Sequence, residues 1–227
     1  MNVLDRFLNY VTFDTQSDEE SATCPSTDKQ KVLGAALVEE MKAIGIADAF
    51  MDENGYVYGT VPGDPSLPTI GLIAHLDTAP QAPGANVKPR VVEFDGSDVC
   101  LNEEKGMYLS AKDYAYLNNC IGKHLVVTDG NTLLGADNKA GVAEIMACAE
   151  YLIQNKPRHA TLKIGFTPTR RSAAARTSSM WTALPPTMPT PSTAASWAAW
   201  SMRPSTQPLP PSPSRVSASI PALPRTS

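Results

Sequence analysis

The chain has 227 residues, 23 acidic and 19 basic side chains and a formal charge of −4, a balance that gives no electrostatic footprint for nucleic acid. Its four cysteines (Cys24, Cys100, Cys120 and Cys148) are scattered, which argues against a disulfide framework or a thiolate metal site, and no apolar run is long enough to span a bilayer. These totals average two unlike populations. All Asp and Glu lie in residues 1–168 with 13 of the Lys and Arg, whereas residues 169–227 hold six Arg, 11 of the 20 Pro and all three Trp, and no Lys, Asp, Glu or Gly.

In chain order, Val3, Leu4, Phe7, Leu8 and Val11 recur at helical spacing and predict a short amphipathic helix over 2–11. A polar loop over 14–26 leads into a second predicted helix, 28–44. Leu33, Leu37, Met41 and Ile44 form its stripe, Ser26 or Thr27 its cap and Gly45 its stop. Asn54-Gly55, between strand-like segments at 49–51 and 56–61, predicts a hairpin. Residues 69–74 are a continuous apolar run and predict a strand buried on both faces of a parallel or mixed sheet. Further strands are expected at 91–94, 125–127 and 161–166. A third helix is expected from about 138 to 155, with Val142, Ile145, Ala149 and Leu152 inward. Strands alternating with helices make the fold class α/β.

The residues that carry chemistry follow these elements. His75 and Asp77 lie just past the carboxyl end of the predicted strand 69–74, the side of an open α/β sheet on which ligands collect. A neutral imidazole binds zinc well, and a neighbouring carboxylate fixes its tautomer and raises its basicity. Asp137 sits in a glycine-containing loop before the third helix, where one carboxylate could bridge two metals. Each feature is weak alone: a single His after a strand is more often a hydrogen-bonded structural residue, and a single Asp before a helix is usually a cap. Gly135 and Gly141 are followed by no Gly-Lys-Ser/Thr ending and make no phosphate loop. His124 and His159 have no ligand-like neighbours.

Together the pieces are distinctive. Ile73-Ala74-His75-Leu76-Asp77-Thr78-Ala79-Pro80, the run from Val127 to Met146, the segment from Arg6 to Ser17 and Pro25-Ser26-Thr27 closely resemble the tripeptide aminopeptidases (peptidase T) of the M20 family of dizinc exopeptidases. The resemblance is nearly continuous over 1–168. It implies that this stretch is the N-terminal part of a catalytic domain with a mixed central sheet flanked by helices. It implies two zinc ions, with His75 binding one, Asp137 bridging both and Asp77 serving the catalytic site by orienting His75. It further implies a tripeptide substrate and a homodimer, with no nucleic-acid or membrane partner. A cytoplasmic location is expected, since residues 1–6 show no signal-peptide pattern. In the family, Phe-Thr-Pro is followed by Asp-Glu-Glu: the first Glu is the general base, the second a zinc ligand, and a further Asp and a late His complete the metal shell. Two zinc ions sharing a water make it acidic enough to attack at neutral pH.

Here Phe166-Thr167-Pro168 is followed by Thr169-Arg170-Arg171, and no carboxylate side chain occurs beyond. The missing residues are recoverable in another reading frame. Joining the last base of each codon to the first two of the next, residues 168–173 permit Asp-Glu-Glu-Val-Gly. Residues 190–200 permit Thr-Val-Asp-Gly-Gly-Glu-Leu-Gly-Gly-Met, and 214–226 permit Glu-Gly-Val-Ser-Ile-His-Pro-Gly-Ser-Ala-Lys-Asn, the family's lid motif. The sequence is therefore read as frameshifted by one base near codon 168, in the gene or in its sequencing: either the gene encodes an intact tripeptide aminopeptidase, or the chain as written is an inactive fragment of that enzyme. Residues 169–227 are expected to form a disordered tail in place of the rest of the catalytic site and the lid domain, since their composition buries too little apolar surface to offset chain entropy. A chain so altered is expected to be inactive, lacking the general-base Glu and the remaining zinc ligands.

Overall fold

The computed structural model describes residues 1–170. The expectation of a disordered tail, apart from Thr169 and Arg170, falls outside the described residues. The first helix, α1 (Val3–Tyr10), starts at Asn2, whose side chain accepts from the Asp5 N–H. It docks differently from its apolar stripe. Val3 and Leu4 are exposed, while Arg6, Phe7, Tyr10 and Val11 are buried. The reason is electrostatic. Arg6, only 1% exposed, lies 2.6 Å from Glu40 of the second helix and 2.8 Å from Glu150 of the third, and the Tyr10 hydroxyl donates to Glu40.

The second helix, α2 (Lys29–Ile44), buries Leu33, Leu37 and Met41 and ends at Gly45, whose φ of 109° suits only glycine. Its N-cap residue is Asp28, with no side-chain cap bond. Of the two expected caps, Ser26 instead accepts from the Asp18 N–H and the Gln30 side chain, and Thr27 gives its hydroxyl to the Gln16 carbonyl. The hairpin forms as expected from β1 (Phe50–Met51) and β2 (Val57–Val61). β3 (Ile70–His75) follows the apolar run. β4 (Arg90–Phe94), β5 (Val99–Asn102) and β6 (Met107–Leu109) come next, then a 3-10 turn at Ala115–Cys120 and β7 (Lys123–Val127). α3 (Ala136–Asn155) and β8 (Leu162–Thr167) complete the order. β5, β6 and the 3-10 turn carry no strong periodicity, and the sequence pattern did not indicate them.

The main sheet runs β1-β2-β8-β3 and is mixed: β8 is antiparallel to β2 and parallel to β3. β4 pairs with β7, and β5 with β6, as separate two-stranded ribbons. α2 packs on β1 and β2, α3 packs on β3, and the two helices touch. Val57, Val61, Leu162, Ile164, Phe166 and Ala74 face them and join the α1–α3 side chains in one core. β3 departs from its expectation. It lies at an edge of the sheet among the described residues, Ile70 is exposed, and only Ala74 is buried. A strand hydrogen-bonded on one side and covered by helices on one face cannot bury every side chain, however apolar the run. No disulfide joins the four cysteines, and no helix of the described residues is long and apolar enough to cross a membrane.

Candidate metal centre

The parallel pairing of β3 with β8 sets Ala74 opposite Phe166 and His75 opposite Thr167. Both chains therefore leave the sheet at the same end, and residues just beyond either strand meet. The loop before α3 arrives there as well. Gly135 turns it with φ 77°, and a Cβ at that position would lie 2.9 Å from Thr78 Cγ2. Glycine is thus required twice, for its backbone angle and for the close approach. Asp137 and Asn138, joined by a cis peptide, have non-helical angles, so regular α3 begins one residue later.

The structure brings His75, Asp77 and Asp137 together. His75 Nδ1 is 3.0 Å from Asp77 Oδ1 and Nε2 is 2.9 Å from Asp137 Oδ1, so the imidazole bridges two carboxylates. Burial by itself pulls the imidazolium pKa down. The hydrogen bonds to Asp137 and Asp77, with their charges, outweigh it and hold the value at about 9. Both ring nitrogens therefore carry protons at neutral pH and donate to the carboxylates. The hydrogen bond from His75 in turn lowers the Asp137 pKa against some burial, helped by the charges of His75 and Arg170.

Of two residues that the sequence pattern did not single out, Arg170 completes the cluster and Lys139 braces the chain beside it. The Arg170 N–H donates to Asp77 Oδ1 at 2.9 Å, and its Nη1 lies 3.0 Å from Asp137 Oδ2. The signal for Arg170 was topological: it is the third residue past a strand that pairs in parallel with the one bearing His75. Lys139, 1% exposed, gives its Nζ to the Phe13 carbonyl at 2.7 Å and ties the start of α3 to the end of α1. Burial lowers its pKa to about 8, opposed by Asp14. A buried lysine in a run of small residues has no distinctive sequence signature. His124 is exposed and His159 bonds to the Ala160 carbonyl; neither reaches the cluster.

These residues do not fit a pair of zinc ions. Zinc is held by three or four N, O or S donors converging on one point. Among the described residues no group of three or more His, Cys, Asp and Glu side chains could hold a metal. His75 Nε2 and Asp137 Oδ1 are bonded to each other instead, and the second oxygen of Asp137 is on a guanidinium.

No family model matches the chain. Among curated proteins, peptidase T of Alkaliphilus oremlandii is 54% identical over 173 residues, covering 74% of this chain and 42% of that protein. Peptidase T of a Geobacillus species (strain WCH70) is 53% identical over 170 residues, 73% of this chain and 42% of that one. Peptidase T of Clostridium botulinum (strain Loch Maree) is 51% identical over 171 residues, 74% and 42%. The chain thus spans about two fifths of the length of the curated relatives it matches. A Staphylococcus aureus tripeptidase structure is 21% identical with TM-score 0.49, covering 73% of this chain and 35% of that one. An aminopeptidase PepT structure from Bacillus cereus is 20% identical with TM-score 0.48 over the same shares. Over the residues matched to the curated sequences, the chain is similar to peptidase T at 51% to 54% identity.

Proposed function

We propose that this chain is an out-of-frame form of a zinc-dependent tripeptide aminopeptidase, and that as written it hydrolyses no peptide. In this reading residues 1–168 are the opening part of the catalytic domain. His75 and Asp137 are two of its metal ligands, and Asp77 holds the His75 ring. Residues 169–227 replace the general base, the other ligands and the lid. The intact enzyme would take a tripeptide and two zinc ions and act as a homodimer in the cytoplasm.

One observation carries the reading: His75, Asp77 and Asp137 converge at one sheet end, yet are bonded to one another and to Arg170, with no further donor beside them among the described residues. Its corollary is chemical. A hydrolase of this kind needs a base to take the proton of the attacking water, and here every carboxylate oxygen aimed at the imidazole or the guanidinium accepts a hydrogen bond from a cation. Two measurements test the proposal. Sequencing the gene across codons 165–172 is expected to show Asp-Glu-Glu encoded in the frame shifted by one base; nucleotides that encode no Asp-Glu-Glu in the shifted frame overturn that part. Incubation of the purified, mass-verified chain with a tripeptide and added zinc is expected to release no N-terminal residue; turnover overturns the claim of inactivity.

A further inference from the structure

We infer that Arg170 acts as a tethered counter-cation at the end of β3 and β8, its guanidinium neutralising Asp137 while its backbone N–H occupies Asp77, so that the cluster excludes divalent metal ions. The inference rests on reading His75 and Asp137 as donor residues. It does not depend on how the codons after 168 arose.

Three observations carry it. Position 170 is delivered to the cluster by the β3–β8 pairing, so its side chain needs no special loop to reach Asp137. The donors are also fully engaged. Asp137 uses one oxygen on His75 and the other on Arg170, while Asp77 Oδ1 accepts from both the His75 ring and the Arg170 N–H. Finally, a guanidinium keeps its charge at any pH at which the protein is folded, so the contact has no deprotonated state in which it would yield to a metal. Arg170 and Asp137 are 66% and 62% exposed, and a pair so exposed adds little to stability. Its effect on a competing ion is larger. A unit positive charge touching the same carboxylate weakens divalent-ion binding by on the order of tenfold, even in the dielectric of water.

The side chain and the backbone of residue 170 act separately, which makes the inference testable. Arg170→Ala removes the charge and leaves the N–H on Asp77. Arg170→Glu reverses the charge and adds a third donor beside His75 and Asp137, the number of protein ligands found in catalytic zinc sites. Zinc affinity of the full chain would be measured by competition with a chromophoric chelator, with circular dichroism confirming the fold of each variant. Relative to the unsubstituted chain, R170A is expected to bind about tenfold more tightly. R170E is expected to bind a hundredfold or more tightly with one zinc per chain, and His75→Ala in the R170E background to remove that gain. Stoichiometric zinc in the unsubstituted chain, or affinities of folded R170A and R170E within twofold of it, overturns the inference; if R170E does not fold, R170A decides alone. Unchanged affinity would leave the inactivity of the chain standing, whereas tripeptide turnover would remove that reading without bearing on Arg170.

Discussion

The imidazole of His75 has one carboxylate on each nitrogen, and this sets a pH window. Its folded pKa of about 9 lies above the ordinary 6.5. The stabilisation is therefore fully present below pH 6.5 and is lost as pH rises through 9. His75 is 14% exposed but Asp137 is 62% exposed, so solvent screening reduces the effect to on the order of 2 kcal/mol. Lys139 has the opposite sign. Its folded pKa of about 8 is below its ordinary 10.5, so its contribution is full above 10.5 and falls away as pH drops through 8. Thermal unfolding is expected to show Tm falling by several degrees from pH 6.5 to 8.5, and His75→Gln to flatten that slope. A second residue-scale expectation concerns Gly135: with φ 77° and Thr78 Cγ2 2.9 Å from a Cβ, Gly135→Ala should cost about 1–2 kcal/mol in denaturant unfolding. At this scale the sequence pointed to residues that the fold brings together, but not to their state. His75, Asp77 and Asp137 stood out by their places after a strand and before a helix. The proton on His75 depends on a contact across 62 positions that no local pattern encodes.

Among the elements, the helices and the main strands were legible because their apolar periods are strong. What decided their mutual packing was not. α1 was expected to dock by Val3, Leu4, Phe7, Leu8 and Val11; Phe7 and Val11 are buried, yet Val3 and Leu4 are exposed, because Arg6 is drawn between α2 and α3. An arginine inside an apolar stripe looks like a solvent residue until its two glutamates, 34 and 144 positions away, are known to lie beside it. Truncating it leaves Glu40 and Glu150 near each other without their shared cation. Arg6→Ala is expected to destabilise the chain by about 2–3 kcal/mol, and Arg6→Lys to recover only part of this, since an ammonium cannot serve two carboxylates with a planar fork. Equilibrium urea unfolding would give both values. β3 shows the converse error: a fully apolar run implies burial on two faces only when something covers each face and each edge, and α3 covers one.

At the scale of the molecule, the edge and the outward side of β3 are open among the described residues. Ile73 is half-buried on the side away from the helices, beside an unpaired row of backbone donors and acceptors, a template for strand addition. Self-association rising with concentration is expected by analytical ultracentrifugation, and Ile73→Lys should reduce it at a cost of about 1 kcal/mol in stability. The ladder between β3 and β8 ends at the pair His75–Thr167, just before the point at which we propose that the reading frame changes. Every backbone bond that assembles the main sheet is therefore made by residues upstream of the change. A product translated in either frame would lay down the same four strands in the same order. On the proposed reading, antibodies raised against that sheet would bind both products alike, and only a probe for the residues after Pro168 could tell them apart in a cell extract.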